Sequence, residues 1–269
     1  MKKNQADRLA KQHKKSKGVE GIFGDSAKRH DLSVKDVSIE TFNRLKEMLP
    51  HLEFRYRQKI GKKEINEKLN KVDDRLGMTL FVKKSAIKPD GGIIEVKDKN
   101  DQWRIVLVSE AKHQGKDIEN ISKGILVGKN NDQDIMVAGN AIERSHKNIN
   151  EIRNIMVDEK HFPYVLFLQG SNFLTEPVIV QRPDGRKVEL RHDVGSLNRI
   201  DRLTAANYSM PINTNYCENI FIDVNEEKVM LQAVSIFAKA TPWPADEMFS
   251  IMMEVALTSL HILGLDEVT

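Results

Sequence analysis

A chain of 269 residues, 40% apolar and 30% charged, is long enough for one large α/β domain or two small ones. No transmembrane span is expected, because the longest apolar segment, 248–265, is interrupted by Glu254 and His261, and the lysine-rich start is not followed by the apolar run of an export signal. The lone Cys217 excludes an intrachain disulfide, which together points to a cytoplasmic protein with one buried, neutral thiol.

The net charge of +3 is modest, but it is unevenly placed. Residues 1–30 carry nine Lys/Arg against Asp7, Glu20 and Asp25, a net of +6, leaving −3 for the remainder. We read 1–17 as a basic, flexible arm that could track phosphates, closed by Gly18, and 18–269 as a single domain. A helix is expected over 31–50, stopped by Pro50, with the core beginning there. Phe54-Arg55-Tyr56-Arg57 alternates aromatic and basic side chains, which puts the two arginines on one strand face. Ile65, Leu69 and Val72 recur at helical spacing over 63–71, and a strand follows over 79–82.

The run 87–112 reads as a hairpin. Ile87-Lys88-Pro89-Asp90-Gly91-Gly92 is a turn entering the strand Ile93-Ile94-Glu95-Val96-Lys97, and Arg104 to Lys112 is the second strand. Farther on, the pattern gives a helix over 117–126, a polar connection over 128–132, and a mixed segment over 136–156 that becomes helical after Gly139-Asn140. Tyr164 to Leu168 is a buried strand, 178–190 a hairpin turning at Arg182-Pro183-Asp184-Gly185-Arg186 outside the core, and 218–224 and 228–234 are short strands. An amphipathic helix over 246–263 closes the chain. Strands alternating with helices predict a mixed α/β sheet in one domain, with arms projecting from it.

Within the hairpin, Glu110 and Lys112 point to one face, Ala111 to the other, and the turn could carry Asp90 alongside them. Two carboxylates suit a hard cation such as Mg²⁺, and a lysine beside them could hold an attacking water and stabilise a pentavalent phosphate. The same residues also fit an ordinary turn and a half-exposed strand, so the spacing alone leaves both readings open.

Together with Gly18 to Asp25, Phe54 to Arg57, Ile87 to Lys97, Glu110 to Asp117, Gly139 to Asn148 and Asn198 to Asn207, these residues resemble the EcoRI-like type II restriction endonucleases over nearly the whole chain. The resemblance implies the nuclease fold named for its Pro-Asp, Asp/Glu-x-Lys signature: a central mixed β-sheet flanked by helices, with arms that embrace DNA, working as a homodimer. It implies Mg²⁺-dependent cleavage of double-stranded DNA at GAATTC, between G and A, leaving 5′-phosphate ends. It makes Asp90 and Glu110 metal ligands and Lys112 the third catalytic residue.

It also makes 136–148 the recognition segment. Asn140 can pair bidentately with adenine, Arg144 can donate to a purine edge, and Gly139 and Ala141 let the backbone approach pyrimidines on which Met136 packs. Glu143 would orient an arginine, Lys147 would meet a phosphate, and Arg199 and Arg202 would supply base or phosphate contacts. Val137 stands where the family pattern has Ala, adding bulk beside Met136. Arg55 and Arg57 could clamp phosphates. A restriction enzyme also implies a DNA methyltransferase in the same cell, with no direct contact required. The alternatives are a catalytically inactive, sequence-specific DNA-binding protein and a repair nuclease on the same fold.

Overall fold

The computed structural model describes residues 20–77, 85–128, 130–135, 141–191 and 194–266, apart from the side chains of 20–25, 141–144 and 194–199. The basic arm over 1–17, the expected strand over 79–82 and the recognition residues Met136, Val137, Gly139 and Asn140 lie outside these.

Helix α1 runs from Glu20 to Met48. Val34, Val37 and Leu45 form its buried stripe, so the core includes this helix and does not begin after Pro50. It starts well before the expected residue 31. Over 26–30 it is held by tertiary bonds, from Ser26 Oγ to Glu119 Oε2 at 3.0 Å and between His30 Nε2 and the Phe167 carbonyl at 3.0 Å. Such contacts leave no periodic signal.

Strands β1 (Phe54–Arg57) and β2 (Ile60–Gly61) follow, then helix α2 (Lys62–Val72) and strands β3 (Ala86–Ile87), β4 (Gly92–Lys97) and β5 (Trp103–His113). Helix α3 covers Asp117–Ser122, shorter than the expected 117–126. Gly124, at φ +69°, turns the chain, and the amide of Ile125 bonds the carbonyl of Asn120 at 2.8 Å, which closes the helix in the manner of a glycine C-cap. Helix α4 (Ala141–Ile155) and strand β6 (Tyr164–Gln169) come next. The hairpin of β7 (Val178–Gln181) and β8 (Lys187–Leu190) forms a separate two-stranded sheet, as the turn residues foretold.

After helix α5 (Val194–Ala206), β9 (Ile220–Val224) and β10 (Glu227–Leu231) make another separate hairpin. The strand expected over 228–234 ends early, and a distinct strand, β11 (Ser235–Lys239), enters the central sheet. The Asn207 side chain separates the two by bracketing Val234, accepting from its amide at 2.6 Å and donating to its carbonyl at 2.9 Å. Helix α6 (Ala245–Ile262) closes the fold.

The central sheet has the order β1-β4-β5-β6-β11, antiparallel from β1 to β5 and parallel from β5 to β11. One face packs on α1 and α6 through Leu107, Ala111, Val165, Phe167 and Met252. The other packs on α2 and α4 through Ile65, Ile149, Ile152, Val108 and Leu166. Each fully buried Leu or Ile contributes about 1.5–3 kcal/mol, and Leu107 and Val108 on β5 with Leu166 and Phe167 on β6 are buried against both helical layers. Cys217 is buried as expected. Burial pushes its thiol up to about 11, with Ser259 Oγ at 3.1 Å. Among the described residues no helix is long and apolar enough to cross a membrane.

Candidate active site

The turn before β4 is built to present Asp90. The Gly92 amide bonds the Pro89 carbonyl at 3.1 Å and the Gly91 amide bonds the Ser109 carbonyl at 2.9 Å, which docks the turn on β5. Glycine is required at both positions. Gly92 sits at φ +85°, and a Cβ on Gly91 would collide with Ser109 Oγ and Val34 Cγ1. Tyr56 adds a hydrogen bond from its hydroxyl to the Gly91 carbonyl at 2.9 Å.

The register of β5 on β6 sets Glu110 opposite Leu166 and Lys112 opposite Leu168, with Ala111 opposite Phe167 on the other face. The alternation expected from the sequence therefore holds. Lys112 Nζ donates to Asp90 Oδ2 at 2.6 Å, to Glu110 Oε1, and to the Ala111 carbonyl at 2.7 Å. Asp90, Glu110 and Lys112 meet at one corner, at the end of the most buried strands.

Glu110 is 1% exposed and held by more than Lys112. Asn148 Nδ2, on α4, reaches both of its oxygens at 3.1 and 2.8 Å, and the Tyr164 hydroxyl donates to Oε2 at 2.9 Å. Burial pushes the Glu110 carboxyl above the usual range, with Lys112 opposing and Asp90 adding to the rise. Burial pulls Lys112 down, but Glu110 and Asp90 outweigh it and hold its ammonium above its ordinary value. With both carboxyls ionised, the corner holds two negative charges against the single charge of Lys112. Helix α1 adds to this. Burial first, then repulsion from Asp90, raises Asp31 to about 7, while burial and the neighbouring His30 lower His113 to about 4.

Among the described residues no three His, Cys, Asp or Glu side chains gather into an all-protein metal cage. The donors that do gather are two carboxylates and a backbone carbonyl, already arranged around a point cation, the Lys112 ammonium. Hard oxygen donors, few in number and short of positive charge, fit Mg²⁺, which keeps several waters and completes its shell with phosphate oxygens.

The recognition candidates are brought together only in part. Ala141, Glu143 and Arg144 open α4, and Arg199 lies in α5, but the side chains of these four lie outside the described residues, as do Met136, Gly139 and Asn140 entirely. Lys147 and Arg202 are exposed on α4 and α5. Arg55 and Arg57 have carboxylate partners: Arg55 Nε meets Glu95 Oε2 at 2.6 Å, and Arg57 meets Glu64 at 2.6 Å and Glu95 at 3.4 Å.

Sequence reasoning passed over Asn148, Tyr164 and Asp31. Two of them left a signal. Tyr164 opens a strand otherwise apolar, where a buried hydroxyl needs a partner, and Asn148 continues the four-residue spacing of Asn140 and Arg144.

The family model for "Restriction endonuclease EcoRI" matches residues 16–269. The chain is 59% identical over 266 residues to the type II restriction enzyme EcoRI of Escherichia coli, covering 98% of this chain and 96% of that protein. It is 54% identical over 264 residues to the type II restriction enzyme RsrI of Cereibacter sphaeroides, covering 98% and 95%.

Proposed function

Since the chain belongs to the EcoRI family and is a type II restriction endonuclease that cuts DNA at specific sites, we propose that Asp90, Glu110 and Lys112 cut the phosphodiester with Mg²⁺ at their corner. The observation that carries this is the convergence of two carboxylates and the Ala111 carbonyl on the single cation Lys112 Nζ. Asp90 and Glu110 would hold the cation. Bound there, Mg²⁺ supplies charge for the phosphoryl oxygens and acidifies water. Lys112, with donors on a mobile stem, orients the attacking water and stabilises the extra negative charge on the pentavalent phosphate. Water adds to phosphorus and the bond to the 3′ oxygen breaks, leaving a 3′-hydroxyl and a 5′-phosphate.

The proposed target is GAATTC, cut between G and A. Supporting it is the sequence Met136 to Arg144, in which Asn140 and Arg144 have the donor patterns that read adenine and purine edges, with Gly139 and Ala141 leaving room for pyrimidines. Glu143 orients an arginine, while Lys147, Arg199 and Arg202 serve phosphates and base edges. Such a site is a palindrome, so the enzyme works as a homodimer, one protomer for each half-site and strand. The basic residues 1–17 and the β7–β8 hairpin are candidates for arms around the duplex. The protein acts in the cytoplasm, where a methyltransferase must protect the host's own copies of the site.

Plasmid DNA incubated with the protein, with and without Mg²⁺, tests the reading. Discrete Mg²⁺-dependent fragments whose ends map between G and A of GAATTC are the expected result. A smear, nicking alone, or retarded but intact DNA would overturn it.

A further inference from the structure

We infer that Asn148 is a positioning residue that couples base reading to catalysis: it aims Glu110 from the same short helix, α4, that carries Arg144. This rests on the function proposed above. Asn148 Nδ2 donates to both oxygens of Glu110, at 3.1 and 2.8 Å. Helix α4 begins at Ala141, directly after the stretch assigned to base reading, and Asn148 lies one helical turn beyond Arg144, a rise of about 6 Å. One short, stiff element therefore carries both a base-reading residue and a grip on the catalytic carboxylate.

The rest of α4 is anchored. Ile149 and Ile152 are buried against the sheet, Lys62 Nζ holds Glu151 at 2.6 and 2.9 Å, and Arg153 donates to the Gln232 carbonyl at 2.8 and 3.1 Å. Asn148 stands between these anchors and the start of the helix, which the function proposed above assigns to DNA. On the other side, the Tyr164 hydroxyl at 2.9 Å fixes Glu110 Oε2 to β6, so of the carboxylate's two uncharged supports one is set by α4 and the other by the sheet. A misplacement of about 1 Å at such a site can cost on the order of 10²-fold in rate.

The residue type fits the task. An asparagine amide steers a carboxylate without cancelling its charge, leaving it able to take a cation. An arginine in its place would saturate it, as Arg55 and Arg57 do for Glu95.

The test uses full-length protein, Asn148→Ala and Asn148→Gln, with thermal melting to establish folding. Three quantities are read on a GAATTC duplex and on one with a single base pair changed. They are binding without metal by fluorescence anisotropy, the tightening of that binding by Ca²⁺, and the single-turnover cleavage rate in Mg²⁺. In Asn148→Ala, metal-free binding to GAATTC should stay within about 3-fold, while cleavage falls about 10²-fold and the Ca²⁺ tightening is lost. The ratio of cleavage rates between the two duplexes should shrink toward the ratio of their binding constants. Asn148→Gln, which keeps the amide, should recover part of both the tightening and the rate, and it decides the matter if the alanine variant does not fold.

Wild-type cleavage and Ca²⁺ tightening in Asn148→Ala would overturn the inference. So would a loss of metal-free binding as large as the loss of rate, which would make Asn148 a DNA contact or a structural residue. Failure of the wild-type protein to cut GAATTC in preference to the altered duplex would instead remove the proposed function on which the inference stands.

Discussion

Two glutamates lie buried on neighbouring strands of one sheet, and they are treated in opposite ways. Glu95 on β4, 3% exposed, faces Arg55 and Arg57, with the Arg55 guanidinium also stacked 4.1 Å from the Trp103 ring centre. Glu110 on β5, 1% exposed, faces one lysine, one amide and one hydroxyl, with Asp90 as a second carboxylate nearby. Two permanent, planar cations close the first site. At the second, Asn148 and Tyr164 fix direction but bring no charge, and burial pushes the carboxyl up. A sheet can thus bury an acid for stability or hold one in readiness for a cation, and the difference lies in whether the partners carry charge.

The largest expected effect follows directly. Glu110→Gln keeps the shape but removes the charge and turns one acceptor oxygen into a donor amide, so cleavage should fall about 10³-fold or more. Metal-free binding to GAATTC should change by less than about 3-fold, because Glu110 supports the chemistry and not the reading of bases. Single-turnover rates beside anisotropy titrations measure the two. Equal losses in both would place Glu110 with Glu95 as a structural acid and erase the contrast.

Glu95→Gln should show the reverse. Removing the anion leaves two guanidinium groups facing each other, but both are partly exposed and Arg57 keeps Glu64, so the cost is about 2 kcal/mol and not the full penalty of a broken buried pair. Denaturant titration should register that loss, while cleavage at a temperature well below melting stays within about 3-fold of the parent. A variant with parental stability and lost cleavage would mean that Glu95 belongs to the reaction.

The two glutamates also differ in how far the sequence revealed them. The turn Pro89-Asp90-Gly91-Gly92 and the alternation of Glu110, Ala111 and Lys112 are local features, and local features dictate the hairpin and the facing of its side chains. The central strands were legible for the same reason, since Ile93 to Val96 and Tyr164 to Leu168 are apolar runs bounded by turns. What escaped depends on contacts distant in sequence. Asn148 lies 38 positions from Glu110 and Tyr164 lies 54. The early turns of α1 are held by Glu119 and by the Phe167 carbonyl, and β11 is separated from β10 by Asn207, 27 positions away. In sequence Glu95 is one residue of a strand and Arg55 and Arg57 look like phosphate clamps, because pairing across β1 and β4 is invisible until the two strands are registered.

The smallest expected effect probes the surplus charge itself. Asp31 on α1 is raised to about 7, first by burial and then by repulsion from Asp90, with Lys112 opposing and Glu110 adding. A carboxyl raised from its ordinary value of 3.8 binds its proton more tightly in the folded state, so its contribution favours folding at low pH and is lost as pH rises through the window from 3.8 to about 7. Asp31→Asn cannot titrate. Its stability relative to the parent should therefore grow across that window, reaching on the order of 1 kcal/mol above pH 7, less than the full shift would give because the side chain keeps part of its hydration. Denaturation midpoints at pH 5 and pH 8 measure the gap. In a Glu110→Gln background one negative neighbour is gone, so the gap should narrow, whereas in a Glu95→Gln background it should not. A gap equal in all three backgrounds would mean that burial and Asp90 account for the rise at Asp31, and that the charge of Glu110 does not reach α1.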